Sequence, residues 1–201
     1  EYLNRNGVRT HYVESPEDKV SIVKKLDRKI DLEVVTRRVA AGSILKWGDH
    51  EQGERFEPLI TQFHYKDDSL HDPRLDPGFV DSIIRAKDGK EFSEMQTINE
   101  QVFLLLEKAF AQFQLQLVDF KLEYGEVDGE IILIDEISGG SFRLWPYAKE
   151  NPNLNQANVL SELNPSGRRD KDNYRMGGDL GDEKTKFEAI AKITEQFVNI
   201  K

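Results

Sequence analysis

The residues best placed to do chemistry lie between Leu117 and Ser138, in LVDFKLEYGEVDGEIILIDEIS. Asp119, Lys121 and Glu123 alternate there with Phe120, Leu122 and Tyr124. In a strand, that spacing gathers three charges on one face and three apolar groups on the other. The following run, Ile131 to Ile137, is apolar except for Asp135 and Glu136. A buried carboxylate needs a partner, so acids in such a strand call for a reason other than stability. The two runs read as a hairpin. A two-residue Asp128-Gly129 loop would set Glu123 opposite Ile134 and send Asp135 to the other face. A three-residue Val127-Asp128-Gly129 loop would set Glu123 opposite Leu133 and make it a diagonal neighbour of Asp135. The second register is the expectation, because it lets both acids share a ligand such as Mg²⁺. Two solvated carboxylates on an exposed hairpin would carry the same spacing.

A second candidate site closes a strand over Ile30 to Val39. The sequence Thr36-Arg37-Arg38-Val39 runs into Ala40-Ala41-Gly42-Ser43. Small residues after a strand permit a tight turn and close approach of the backbone to a ligand. Ser43 is expected to start a short helix whose free N–H groups favour an anion. Arg37 and Arg38 point to opposite faces, so only one of them can serve that anion. The pattern suits a phosphate site without being a Walker loop; a plain strand–turn–helix connection would show it too.

The elements that must position these residues follow from the rest of the chain. Its 201 residues are 38% hydrophobic and 32% charged, enough to bury a real core in one domain or two small lobes. No apolar run approaches the roughly 20 residues of a membrane-spanning helix. There are no cysteines, hence no disulfide and no thiolate metal site. With 37 acids against 28 bases the net charge is −9, which argues against general nucleic-acid binding. An anionic ligand must therefore be held by a local basic cluster.

Glu1 to Arg5 reads as the last turn of a helix, closed by Asn6-Gly7. Strands are expected over Val8–Glu14, Val20–Leu26 and Pro58–Tyr65, the last an edge strand because of its proline. His11, in the first of these, reads as structural. Asp76-Pro77 signals a helix to about Lys87. Thr97 and Glu100 suggest a capping box for a longer helix through about Phe113, with Ile98, Val102, Leu105, Leu106, Ala109, Phe110 and Phe113 as its buried stripe. Gly139-Gly140-Ser141 leads to Phe142-Arg143-Leu144-Trp145-Pro146. A long segment rich in Asn, Pro, Ser and Gly follows to about Met176, and an amphipathic helix over Asp182–Ile200 closes the chain.

Taken together, six blocks resemble the phosphoribosylaminoimidazole-succinocarboxamide synthases, or SAICAR synthetases. They are EVVTRRVAAGSILK (Glu33 to Lys46), YKDDSLHDPRL (Tyr65 to Leu75), LVDFKLEYG (Leu117 to Gly125), DEIS (Asp135 to Ser138), FRLW (Phe142 to Trp145) and DKDNYR (Asp170 to Arg175). They stand in the family's order at compatible spacings. The resemblance implies an α+β or α/β fold of the ATP-grasp and kinase-like kind, a mostly antiparallel sheet flanked by helices. It implies a cytoplasmic ligase of purine biosynthesis that joins L-aspartate to carboxyaminoimidazole ribonucleotide (CAIR) through an acyl phosphate, with ATP and Mg²⁺. Its partners would be these small molecules, neither nucleic acid nor membrane, with a homo-oligomer left open.

Carried over position by position, Arg37, Ser43 and Arg143 match residues that hold the ribonucleotide phosphate. Asp72 matches a contact to the aminoimidazole, and Lys121 the lysine beside the substrate carboxylate. Glu123 and Asp135 match the acids that hold magnesium against ATP. Asp119 would orient Lys121, and Asp172 and Arg175 belong to a further motif near the site. Two departures stand out. Pro146 replaces an aspartate common after the RLW tryptophan, and the family's glycine-rich KLYEGK-like nucleotide loop is not in this sequence. The expectation is a truncated N-terminal lobe, with residues 1–30 the remnant of a β-rich ATP lobe, residues 31–201 the substrate and metal lobe, and about a quarter to a third of the enzyme missing. A degenerate, non-catalytic ribonucleotide-binding lobe, or a related ligase using another amine, would fit the same blocks.

Overall fold

The structure, a computed structural model, describes residues 1–86, 89–146 and 180–200. It is α+β. Helix α1 (Tyr2–Arg5) precedes the hairpin β1 (Tyr12–Glu17) and β2 (Val20–Val23), which forms a separate two-stranded sheet. The main sheet comprises β3 (Arg28–Val39), β4 (Arg55–Tyr65), β5 (Leu115–Val127), β6 (Glu130–Ile134) and β7 (Phe142–Pro146). Its order is β4-β3-β5-β6, with β7 also paired to β5. Strand β4 is thus an edge strand, where a proline is tolerated. The helices are α2 (Pro77–Ile83), α3 (Glu91–Ala111) and α4 (Leu180–Glu195).

The chain divides into two compact units, each built from three separated stretches. The first holds residues 1–36, 61–103 and 121–136. Leu32, Val34, Met95, Val102, Phe103, Leu122 and Tyr124 are buried there. So is a polar chain in which the Tyr124 hydroxyl donates to Asn99 (2.7 Å), the Asn99 amide donates to Thr36 (2.6 Å), and Thr36 meets Thr61 (2.9 Å). Every member is satisfied, which makes such a network tolerable in a core. The second unit holds residues 37–60, 104–120 and 137–201. Val39, Ala41, Val118 and Trp145 form one apolar cluster in it, and Ala40, Ile44 and Phe56 another. Phe110 packs on Phe142 and on Phe197, with ring centroids 5.5 Å and 5.1 Å apart.

Several expectations need correction. The β5–β6 hairpin takes the two-residue register: Glu123 pairs with Ile134, and Val127 with Glu130. Asp128 and Gly129 both have positive φ, 54° and 79°, as a type I′ turn requires. Strand β6 ends at Ile134, and Asp135 itself has φ 64°, so it leaves the strand alternation altogether. Helix α3 begins at Glu91, not at Thr97. Its first turn is capped from α2, where Asp81 Oδ1 accepts the Phe92 N–H at 2.9 Å. Thr97 lies inside the helix and donates to the Ser93 carbonyl. Of the stripe expected along α3, Val102, Leu106, Ala109 and Phe110 are buried, while Ile98, Leu105 and Phe113 are only half-buried. In the closing helix, Ile190 and Ile193 are buried, together with Phe197 in the 3₁₀ turn that follows.

The turn offers a test. Gly129→Val puts a β-branched residue at φ 79° and should cost about 1–2 kcal/mol. Urea denaturation measures it; an unchanged midpoint would mean that the hairpin closes differently.

Candidate functional site

The second unit contains a guanidinium cluster. Asp119 is fully buried on β5. Its Oδ2 accepts from Arg37 Nη1 at 2.7 Å and from Arg143 Nη1 at 2.5 Å. Arg37 also donates to the Ala41 carbonyl and, through Nη2, to the Ser43 hydroxyl, both at 3.1 Å. Arg143 arrives by strand pairing: it lies opposite Asp119 in the β5–β7 ladder, beside a bulge between Leu117 and Asp119. Bulges commonly re-aim side chains at sites. Gly42 makes room for this arginine. A Cβ at Gly42 would stand 2.9 Å from Arg143 Cζ, and the residue's φ of 64° disfavours side chains as well. Ser43 is exposed, so the cluster meets solvent at the hydroxyl.

The two adjacent arginines divide as their alternation demands. Arg38 is held by both Glu107 oxygens, at 2.8 and 3.1 Å, and by the Phe56 carbonyl. Arg37 is therefore the one beside Ser43. The helix expected at Ser43 is a five-residue 3₁₀ turn, Gly42–Lys46, too short to present an ordered helix N-terminus. The basic character comes from the side chains instead.

The first unit contains a ring of four alternating charges. Lys121 Nζ lies 2.6 Å from Glu33 Oε1 and 3.2 Å from Glu123 Oε1. Lys66 Nζ mirrors it, 2.5 Å from Glu123 Oε1 and 3.3 Å from Glu33 Oε1. Lys29 approaches the other Glu123 oxygen at 3.3 Å. Burial opposes ionisation of Glu123, but the Lys66 and Lys121 ammoniums outweigh it and bring its pKa from 4.5 to about 2. Glu33 is also lowered, its burial outweighed by the same two lysines. Lys66 is raised: burial works against its charge, and Glu123 and Glu33 more than compensate.

Glu33 and Lys66 were not among the expected site residues. The signal for Glu33 was its alternation with Lys29 and Arg37 on one face of β3. Lys66, just past β4, gave none, because its pairing with Glu123 joins positions far apart in sequence. Asp119, expected to orient Lys121, hydrogen-bonds to the two arginines, and Lys121 meets Glu33 and Glu123. Asp72 has φ 48°, follows His71 at φ 58°, and accepts the Asp67 N–H at 3.0 Å, so its carboxylate fastens its own loop. Asp135 is exposed. Burial lowers the pKa of His11, and the charge of Asp135 partly offsets that. Asp172 and Arg175 lie outside the described residues.

Among the described residues, no three His, Asp or Glu side chains are grouped as a ready metal cage. Magnesium does not need one; it keeps several waters and binds through one or two carboxylates plus substrate phosphates. Glu123, held ionised, is a hard oxygen donor, but Lys66, Lys121 and Lys29 already face its two oxygens, and Asp135 has left the strand face that was to align the two acids.

A carboxylate with a lowered pKa contributes stability that is whole above its unfolded value and lost as the pH falls through its folded value. For Glu123 that window runs from 4.5 down to about 2. Glu123→Gln should destabilise the chain by about 3 kcal/mol at neutral pH, because it removes the buried charge that three ammoniums share and leaves Glu33 alone to balance Lys66 and Lys121. The deficit should shrink as the pH falls through that window. Denaturant titrations at several pH values check this, and a constant deficit would contradict it.

Comparison with known proteins follows the same lines as the geometry. A family model described as SAICAR synthetase matches residues 1–192. The phosphoribosylaminoimidazole-succinocarboxamide synthase of Chloroflexus aggregans is 39% identical over 158 residues, covering 77% of this chain and 62% of that protein. That of Herpetosiphon aurantiacus is 36% identical over 204 residues, covering 97% of this chain and 75% of that protein. A solved structure described as SAICAR synthetase (Type-2) in complex with ADP aligns with a TM-score of 0.77 at 30% identity, over 100% of this chain and 76% of that one. The chain thus spans less than two thirds of the length of the first of these relatives and about three quarters of the others. With the family model running from residue 1 to 192, through both charge clusters, the chain belongs to the SAICAR synthetase family.

Proposed function

We propose that the protein to which this chain belongs joins L-aspartate to carboxyaminoimidazole ribonucleotide at the expense of ATP, releasing ADP and phosphate. The observation that carries this reading is the meeting of Arg37 and Arg143 on one buried carboxylate, beside the Ser43 hydroxyl, in a chain of this family. Two buried guanidiniums beside an exposed hydroxyl suit a phosphate monoester, whose three oxygens accept charge-assisted hydrogen bonds. The ADP held by the solved relative supports nucleotide use.

In this reading the γ-phosphoryl group of ATP passes to the CAIR carboxylate. The aspartate amine attacks the resulting acyl phosphate, a C–N bond forms, and inorganic phosphate leaves. Arg37, Arg143 and Ser43 anchor the ribonucleotide phosphate, and fixed geometry of this kind supplies much of a rate enhancement. Asp119 holds both guanidiniums in register. Lys121 offsets charge on the substrate carboxylate as that group becomes a nucleophile. Asp72 would border the aminoimidazole; Asp172 and Arg175, which lie outside the described residues, belong to the same set by the family resemblance alone. Glu123 and Asp135 match magnesium ligands by the family resemblance alone, and with three ammoniums facing Glu123 they carry no step of this reading.

A charge-assisted hydrogen bond contributes ~1.5–3 kcal/mol, so Arg37→Ala or Arg143→Ala should weaken ribonucleotide binding roughly ten- to a hundred-fold. Calorimetric titration reads this directly, with Arg38→Ala as the control that leaves affinity intact. Unchanged affinity in both variants would remove the anchor from the reading.

A further inference from the structure

The lysine cluster of the first unit is unbalanced in charge. Three ammoniums, those of Lys29, Lys66 and Lys121, meet two carboxylates, those of Glu33 and Glu123. Glu123 lies deepest, its side chain 3% exposed, while those of Lys66 and Lys29 lie outermost at 30% and 46%. The excess positive charge therefore stands on the solvent side. Asp31 shares that face of β3 but is exposed to water, so it offsets little of this charge. Donors are in excess as well. An ammonium carries three N–H groups. Lys66 and Lys121 each meet one oxygen of Glu33 and one of Glu123, and Lys29 meets Glu123 Oε2 at 3.3 Å.

We propose that the outer pair, Lys29 and Lys66, receives a carboxylate of L-aspartate on the N–H groups that Glu33 and Glu123 leave over. This rests on the reaction proposed above. Lys66 and Lys29 address the two oxygens of one carboxylate, Glu123, so the gap between their ammoniums is one that a second carboxylate can bridge from the solvent side. No ion pair has to break. The incoming group brings one negative charge, completes an alternation of three cations with three anions, and neutralises the cluster. The chemistry also asks for an anchor here. The attacking amine stands on the carbon that bears the α-carboxylate, so whatever holds that carboxylate must lie close to the carbonyl carbon under attack. Lys121, read as the lysine beside the CAIR carboxylate, and Lys29 stand on the two oxygens of the same Glu123. Lys29 is thus a substrate-binding residue for the amine, and Lys66 its partner.

The test is L-aspartate alone titrated into the full chain and read by ligand-observed proton NMR, with inorganic phosphate alone titrated in parallel and read by phosphorus NMR. Lys29→Met should weaken L-aspartate binding roughly tenfold, the equivalent of one charge-assisted hydrogen bond. Lys29→Arg should restore most of it. Lys29 is half-exposed, so the fold tolerates both substitutions. Phosphate binding should be the same in all three chains, which a general loss of structure would not allow. Equal L-aspartate affinity in the parent chain and in Lys29→Met overturns the inference, and so does the lack of any binding by the parent chain. Displacement of L-aspartate by inorganic phosphate would make the cluster a general anion site, which overturns it too. If Lys29→Met weakens binding of the ribonucleotide instead, the cluster serves the CAIR carboxylate and the assignment to the amine fails. The Arg37 and Arg143 variants test the reaction separately. Should they leave ribonucleotide binding unchanged while Lys29→Met behaves as expected, the aspartate site stands without that reaction; the reverse result leaves the reaction without this anchor.

Discussion

Charged side chains are costly to remove from water, and this chain buries Asp119, Glu123 and Glu126 on its central strand, the last paired with Arg28 and the first two facing the charge clusters. Asp119 is 0% exposed and Glu123 2%. Such groups persist only where counter-charges meet them with good geometry. Strand β3 supplies much of the answer, with Arg37 for Asp119 and Lys29 for Glu123, and Glu33 balances the lysine that lies between the two acids on β5. The charged faces of β3 and β5 are thus complementary. Substituting one member removes a counter-charge from its partner, so these positions constrain one another.

Much of this was legible in the sequence because a strand repeats every two residues. Asp119, Lys121 and Glu123 had to share a face, and Arg37 and Arg38 had to part. What the sequence could not show is who meets whom across the sheet. The ion pair of Lys66 with Glu123, and those of Glu33 with both lysines, join distant segments through the order β4-β3-β5. The cap of α3 is equally non-local: Asp81 supplies it from α2, while Thr97, which has the composition of a cap, donates to its own helix.

The hairpin register is more instructive. The three-residue loop was preferred so that Glu123 and Asp135 would share a face, which places an assumed metal ahead of turn chemistry. Asp-Gly between two strands favours a two-residue type I′ turn, because both residues accept positive φ and the turn's twist matches that of the strands. The structure follows the turn. Asp135 then departs from the strand at φ 64°, and its direction is set by that single backbone step and not by strand alternation. The guanidinium cluster shows the opposite relation. The residues expected to share a phosphate do meet, but the physical basis expected for them, a helix N-terminus at Ser43, gives way to two arginines sharing Asp119 and a glycine that leaves space for one of them.

The claim on which the rest stands is that Asp119 holds Arg37 and Arg143 together as one unit. A double-mutant cycle on stability measures that coupling, pairing Asp119→Asn with Arg37→Gln and separately with Arg143→Gln. Coupling energies of at least about 1.5 kcal/mol are expected for both pairs, as for buried hydrogen bonds between charged groups. Values within ~0.5 kcal/mol of zero for both would contradict the account, since the carboxylate and the guanidiniums would then be buried independently of one another.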